Sequence, residues 1–373
     1  MDDVVRPSAP VAAPLQNGRS KRSGRSTRGP WWHDAPAIVA RIETGRSFPP
    51  PTWYRIGEGW LGIASDHAPF ANRFRTLFGE CAGGPPEPGT LAVRCGVRSL
   101  QRPAIALVTF DDPEPLDQVR FAQRVFADRD YEPAPTEQSG WSRFGDAVLA
   151  AADRQLLVRR GAPWQGFVGS LAVNRVLRLQ RDVLFFHAAA AAIGGRGVLI
   201  VGPKGSGKTT LSLALAARGH GFFGDEMTGI RMPGRDVVPV RRAASVRPGP
   251  GARAVTRALA ARRFATDRFP DGTTRRRVGV GSLFPAAAAQ PATLVQIVFL
   301  RGFAPLPRAE PFVATRSHDV RLLTPLACTL WDQAPGRRAM QFLSLLAGTR
   351  CAFLDVGEPD ATARAIEQLV EAG

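Results

Sequence analysis

Residues 197–218 read Gly-Val-Leu-Ile-Val-Gly-Pro-Lys-Gly-Ser-Gly-Lys-Thr-Thr-Leu-Ser-Leu-Ala-Leu-Ala-Ala-Arg. The run Val198–Val201 has the length and composition of a buried strand. It enters Gly202, Pro203, Lys204, Gly205, Ser206, Gly207, Lys208 and Thr209, which fit the phosphate-loop pattern G-x-x-x-x-G-K-[ST]. After Thr210, the residues Leu211, Leu213, Ala214, Leu215 and Ala217 have the apolar density of a buried helix. Closely spaced glycines let consecutive backbone N–H groups turn inward as an anion nest, and the helix N-terminus adds its positive end. In such a loop Lys208 is a point charge for the β- and γ-phosphates, and Thr209 offers its hydroxyl to Mg²⁺. The lysines sharpen the signal. Of 49 basic residues only Lys21, Lys204 and Lys208 are lysine, so two of the three fall in this loop.

Upstream, Leu184–Ile193 reads as one buried strand and Gly194–Gly197 as a tight turn, so a β-hairpin feeds the loop. Downstream, Phe222-Phe223 reads as a second strand ending in Asp225-Glu226. Carboxylates so placed hold Mg²⁺ or accept a proton in phosphoryl transfer. Further on, Val237–Val240, Val278–Val280, Leu294–Leu300 and Cys351–Val356 read as strands. The stretches 252–264, 322–331, 338–346 and 359–370 read as helices, and Pro270-Asp271-Gly272 as a turn. His220 reads as a helix-end residue.

With these residues in view, the segment FFHAAAAAIGGRGVLIVGPKGSGKTTLSLALAARGHGFFGDE resembles the catalytic core of the HPr kinase/phosphorylase family and its smaller relatives. Shared features are a His before a hairpin, the loop, a helix ending near Arg-Gly-His, and paired acids. The resemblance covers about fifty residues and extends more loosely to the C-terminus. It implies an α/β fold: a P-loop catalytic domain with a mixed sheet, related to the phosphoenolpyruvate carboxykinase nucleotide fold. It implies that residues Gly202–Thr210 bind ATP and that Lys208 and Thr209 hold its phosphates and Mg²⁺. It implies that Asp225 is the base taking the substrate's hydroxyl proton. Glu226 stands where the family usually has a second aspartate and would help with metal or positioning. His187 would lie near the γ-phosphate and tune Asp225. Family members phosphorylate a serine of a protein or peptide, some smaller relatives on lasso-type peptides. The regulatory enzymes' E-I-R-G-L-G-I-I-D-V segment has no counterpart here, which removes support for phosphorolysis and for HPr itself as substrate.

The 373 residues carry a net charge of +17, unevenly spread. Residues 1–30 hold six basic residues against Asp2 and Asp3 and read as a disordered basic tail. Residues 231–280 hold thirteen arginines against Asp236, Asp267 and Asp271. Arg275, Arg276 and Arg277 are candidates to clamp an acidic substrate or the γ-phosphate. Residues 31–163 read as an N-terminal α+β unit of unknown role and residues 164–373 as the catalytic domain. In the first, 53–56, 61–64, 91–97, 104–110 and 146–158 read as strands, and 37–42, 68–77 and 116–126 as helices. His67 beside Asp66 reads as structural. Trp164–Leu179 has helical periodicity and joins the two units. Cys81, Cys95, Cys328 and Cys351 show no metal-ligand spacing. The longest apolar run, 183–193, is too short to span a bilayer. The expected protein is a cytoplasmic, ATP- and Mg²⁺-dependent serine kinase acting on a protein or peptide, with homo-oligomers compatible and nucleic acid disfavoured. A nucleotide-gated binding module and a small-molecule kinase are the alternatives.

Overall fold

The computed structural model describes residues 47–100, 105–112, 131–133, 141–144, 147–152, 155–159, 164–247, 264–268, 274–314, 320–328 and 335–372. The basic tail and the expected helices at 37–42 and 116–126 lie outside them. So do nearly all of the 252–264 helix and the turn at 270–272.

The N-terminal unit is a nine-stranded sheet. Its strands are β1 (Thr52–Ile56), β2 (Gly59–Ser65), β3 (Ala82–Gly83), β4 (Ala92–Leu100), β5 (Ile105–Phe110), β6 (Tyr131–Pro133), β7 (Trp141–Phe144), β8 (Ala147–Ala152) and β9 (Gln155–Arg159). They are ordered β3-β1-β2-β4-β5-β9-β8-β7-β6. Residues 146–158, expected as one strand, fold back as the β8–β9 hairpin. Helix α1 (Ala68–Phe78) starts at His67, whose Nδ1 accepts the Phe70 N–H at 3.2 Å. This makes His67 a helix cap. Helix α2 (Trp164–Leu179) packs on the sheet: Phe167, Val168, Leu171 and Val176 share one core with Tyr54, Leu61, Val93, Phe70 and Phe74. Arg175 of α2 donates to both carboxylate oxygens of Asp112 at 2.7 and 2.6 Å, with both side chains almost wholly buried.

The second unit is built on β11 (Ala189–Ile193), β12 (Arg196–Val201), β13 (Gly221–Gly224), β19 (Thr293–Phe303), β20 (Arg308–Phe312) and β21 (Arg350–Val356). Side by side they run β13-β11-β12-β19-β21-β20. Strands β12, β19 and β21 are parallel and the remaining pairs antiparallel, so the sheet is mixed, as expected. Three strands continue it from the start of β19: β15 (Asp236–Pro239), β14 (Thr228–Arg231) and β10 (Val183–Phe186). Helices cover both faces, which is why β12 is an unbroken apolar run. Val198 and Ile200 pack with α3 (Lys208–Ala217) and α7 (Pro359–Glu371). Leu199 and Val201 pack in the core that holds Phe342 and Leu345 of α6 (Pro335–Ala347). A small sheet of β16 (Ala244–Val246), β18 (Thr274–Val278) and β17 (Ala265–Arg268) packs on α3 through Leu213 and Ala216.

Three expectations change in the second unit. Residues 184–193 are two strands, not one. His187 N–H bonds the Leu326 carbonyl at 2.6 Å and Phe186 bridges Ala327, so the chain leaves β10 at His187 and crosses to β11. Val280 opens a short helix, α4 (Val280–Leu283), which follows Gly279. Of the helix expected over 322–331, the described residues form α5 (Val320–Leu323), tightening into a 3₁₀ turn at Thr324–Leu326, and 329–331 lie outside them. Pro325 cannot continue an α-helix.

Helix α3 stops at Gly219, whose φ of +88° is open to glycine. The His220 N–H bonds Leu215 O at 3.1 Å and the Gly219 N–H bonds Ala216 O at 3.0 Å, a Schellman closure. Beside it Arg218 grips Glu367 of α7 with two hydrogen bonds, at 2.6 and 2.8 Å, and His220 Nε2 lies 2.5 Å from the same carboxylate. Arg218 first, opposed by desolvation and helped by His220, holds the Glu367 carboxyl below its ordinary value. A depressed folded pKa stabilises above the unfolded value, near 4.3, and that stability is lost as pH falls through the folded value. Glu367→Ala is expected to cost about 1–2 kcal/mol at pH 7. In urea melts the loss should shrink to nothing as the pH falls below about 4; a pH-independent loss would exclude the charge pair as its cause.

Candidate nucleotide site

The loop between β12 and α3 has the backbone its glycines permit. Gly205 and Gly207 sit at φ +91° and +101°, where a side chain is strained. Gly207 is the N-cap of α3 and brings no side-chain cap, so the first N–H groups of the helix face the loop. Gly202 is required small for another reason: a Cβ there would lie 2.6 Å from Ser206 Oγ and 3.0 Å from Leu300 Cβ. Ser206 Oγ is buried with no hydrogen-bond partner. Lys208 folds back, its Nζ donating to Gly202 O at 2.7 Å and Pro203 O at 3.1 Å. Burial lowers its pKa, with Glu226 and Asp225 opposing. Glycine cradle, orphaned hydroxyl, helix end and ammonium together fit a phosphate chain.

Strand β13 delivers the acids. It runs antiparallel to β11, hence in the direction of β12, so Asp225 emerges at the loop's end of the sheet. Thr209 Oγ1 donates to Asp225 Oδ2 at 2.9 Å. Asp225 is only 4% exposed. Burial, then the neighbouring Glu226, pushes its carboxyl up to about 6, against the Thr209 hydroxyl, Arg242 and the Ser245 backbone. A threonine hydroxyl paired with a carboxylate beside a phosphate loop suits Mg²⁺. No cluster of three or more His, Cys, Asp or Glu side chains forms a metal site among the described residues.

Glu226 is half-buried and paired with Arg242 at 2.9 Å. Arg242 holds its carboxyl below the ordinary value; burial opposes, and His187, Arg277 and Arg275 add to the effect. Arg242 is placed by the Val240 N–H, which bonds Phe223 O at 3.1 Å and lays the exit of β15 along β13. His187 occupies the β10–β11 break. Its ring reaches solvent, yet enough water is displaced around it to lower its pKa; Glu226 opposes this while Lys208 and Arg242 add to it.

The five residues expected to carry catalysis or metal binding therefore meet in one cleft of about 330 Å³. Lys208, Thr209, Asp225, Glu226 and His187 line it, together with Ser245, Val246, Arg247 and Arg275. Of the three clamp candidates only Arg275 lines this space. Arg277 is buried with Asp267 at 2.7 Å, and Arg276 is exposed because side chains alternate along β18. Sequence reading singled out neither Arg242 nor Arg247. They sit in the arginine-rich stretch, where nothing local distinguishes one arginine from another.

A second cavity of about 490 Å³ opens beyond the acids, between α1, α2 and the sheet that carries the phosphate loop. Its walls include Phe70, Phe74, Leu77, Val173 and Met227. His187 and Glu226 line both cavities and, with Arg242 paired to Glu226, form the partition between them.

No family model matches this sequence. Among curated proteins, the thiamine import ATP-binding protein ThiQ of Cereibacter sphaeroides is 32% identical over 144 residues, 38% of this chain. The match spans about half (54%) of that relative's length. Among solved structures, the HPr(Ser) kinase/phosphatase of Coxiella burnetii aligns over 50% of this chain and 88% of its own, at 17% identity and a TM-score of 0.26. No described helix is long and apolar enough to cross a membrane. Loop motif, loop geometry and sequence likeness together place the chain among P-loop nucleotide-binding proteins.

Proposed function

We propose that the protein is an ATP-dependent kinase that transfers the γ-phosphate to a hydroxyl, a serine side chain of a protein or peptide. The observation that carries this is the partition: His187, Glu226 and Arg242 separate the charged phosphate cleft from a larger apolar cavity. Hydrolysis needs space for a water at the γ-phosphate. A neighbouring apolar cavity of this size suits an acceptor, whose hydroxyl reaches the acids while its apolar groups fill the space behind. The resemblance of residues 184–230 to the HPr kinase core supports the same reading.

The residues divide the work. The N–H groups of the loop and α3, with Lys208, hold the phosphates; Lys208 leaves the Gly202 and Pro203 carbonyls to do so. Mg²⁺, held by Thr209 and Asp225, would neutralise phosphate charge. Asp225, expected as the base, is engaged by the Thr209 hydroxyl, whereas Glu226 faces both cavities beside His187. In this reading Glu226 orients the acceptor hydroxyl and accepts its proton, Arg242 keeps Glu226 ionised, and His187 positions it. Arg275 adds positive charge at the transferring phosphate.

The test uses the full chain, γ-labelled MgATP and a degenerate peptide library centred on serine with apolar flanks. Label is expected in phosphoserine, with Lys208→Ala lowering transfer roughly 100-fold or more. Glu226→Gln should lower transfer without changing ATP affinity. Label released only as inorganic phosphate, at a rate no peptide alters, would exclude the kinase. Label entering free serine but no peptide would select the small-molecule alternative.

A further inference from the structure

Four large apolar side chains are markedly exposed among the described residues: Phe303, Leu306, Val313 and Met340. Phe303 and Leu306 lie where β19 ends and its connection to β20 begins, at the phosphate-loop end of the sheet; Val313 follows β20 at the opposite end. Phe303 ends β19 and is 72% exposed. A phenylalanine so open loses the hydrophobic stabilisation its ring would gain by burial, so its position calls for a reason.

The reason is at the loop. Strands β12 and β19 are parallel, with Val201 opposite Phe299, so Phe303 lies past the end of β12 on the side where the phosphate loop begins. Its ring stands over Gly207: a Cβ built there would lie 3.8 Å from Phe303 Cε1 and 4.0 Å from Cζ. The sheet order β13-β11-β12-β19 puts the acids on one side of the loop and Phe303 on the other. Crevices at the carboxyl ends of strands are where open α/β sheets bind ligands. A triphosphate laid over the loop with its terminal phosphate at Asp225 and Glu226 directs the nucleoside towards Phe303. Within the phosphate cleft, the only aromatic ring among the described lining residues is the imidazole of His187, which the transfer reading uses.

We propose that Phe303 is the stacking platform for the purine base of the bound nucleotide, with Leu306 extending the apolar surface beside it. This rests on the nucleotide reading of the loop and extends it to the part of the ligand that the motif does not address. Planar bases stack on exposed aromatic rings whatever their hydrogen-bonding pattern. The platform therefore favours purines for their larger face and discriminates little between adenine and guanine.

The experiment measures binding of MgATP and of magnesium tripolyphosphate by calorimetry to the full chain, wild type, Phe303→Ala and Phe303→Trp. Phe303→Ala is expected to weaken MgATP roughly 5- to 100-fold, leave tripolyphosphate unchanged, and Phe303→Trp to restore MgATP. Equal losses for both probes would mean that the ring only props the loop, and overturn the platform. So would unchanged MgATP affinity, including the case where Phe303→Ala alters self-association instead. Binding of neither probe by the wild type would remove the nucleotide reading, and the platform with it; binding of tripolyphosphate without Phe303 dependence of MgATP would remove the platform alone.

Discussion

Asp225→Asn is expected to make the protein more stable at neutral pH while abolishing phosphate transfer. The carboxyl is 4% exposed and titrates near 6, because burial and Glu226 both penalise its charge. A carboxyl whose folded pKa is raised stabilises the native state fully only below its unfolded value, near 3.9. That contribution is lost as pH rises through the folded value, so above about 6 the ionised group is a net cost. Raising a carboxyl from its ordinary value to about 6 corresponds to about 3 kcal/mol at most. Asparagine carries no charge and its oxygen still accepts the Thr209 hydroxyl. In urea melts without nucleotide, the variant should gain about 1–3 kcal/mol at pH 7.5, and the gap should close near pH 4. Transfer should fall roughly 100-fold or more, since a neutral side chain holds Mg²⁺ poorly. A variant less stable than wild type at pH 7.5 would mean that Arg242 and the hydroxyl more than offset burial of the charge.

Asp112→Ala is expected to cost about 3–5 kcal/mol, among the largest losses available to a single change outside the site. Arg175 donates to both Asp112 oxygens, their side chains 3% and 1% exposed, and its guanidinium lies over the Phe110 ring at 4.7 Å. Deleting the carboxylate leaves a buried cation without this counter-charge. The double change Asp112→Ala with Arg175→Met should recover most of the loss, because the cation goes too. The pair ties α2 to the N-terminal sheet, and α2 forms one wall of the apolar cavity. A loss under about 1 kcal/mol in denaturant melts would show that water or a neighbouring group relieves the charge.

The phosphate loop, its entry strand and its helix were legible because each depends on neighbours in sequence. Glycines set φ locally, the Val198–Val201 run is apolar on both sides, and Gly219 closes α3 with bonds reaching only a few residues back. The acids after Phe223 were legible for the same reason: a short strand and a loop bring them back to the helix that precedes it. His187 was visible as a residue but not as a strand break. What divides β10 from β11 is the Leu326–Ala327 segment, some 140 residues away, and no periodicity within 184–193 encodes it. The short helix at 320–323 obeys a local rule, since Pro325 outranks the apolar spacing that runs on past it.

By itself the sequence determined a strand–loop–helix with the phosphate-loop pattern, a carboxylate pair beside it, and an excess of arginine nearby. These follow from residue types and short spacings. Only the tertiary structure decided which of the described arginines reach the site, because alternation along β18 and the exit of β15 bring Arg275 and Arg242 there, with Arg247 beside them. It alone decided that Thr209 engages Asp225 while Glu226 faces a second cavity. That cavity exists only because α1 and α2, packed on a different sheet, come to rest against the one that carries the phosphate loop. The phosphate loop is thus written in one contiguous segment. The second cavity is made between surfaces far apart in the chain, and contacts of that range leave no pattern in either segment alone.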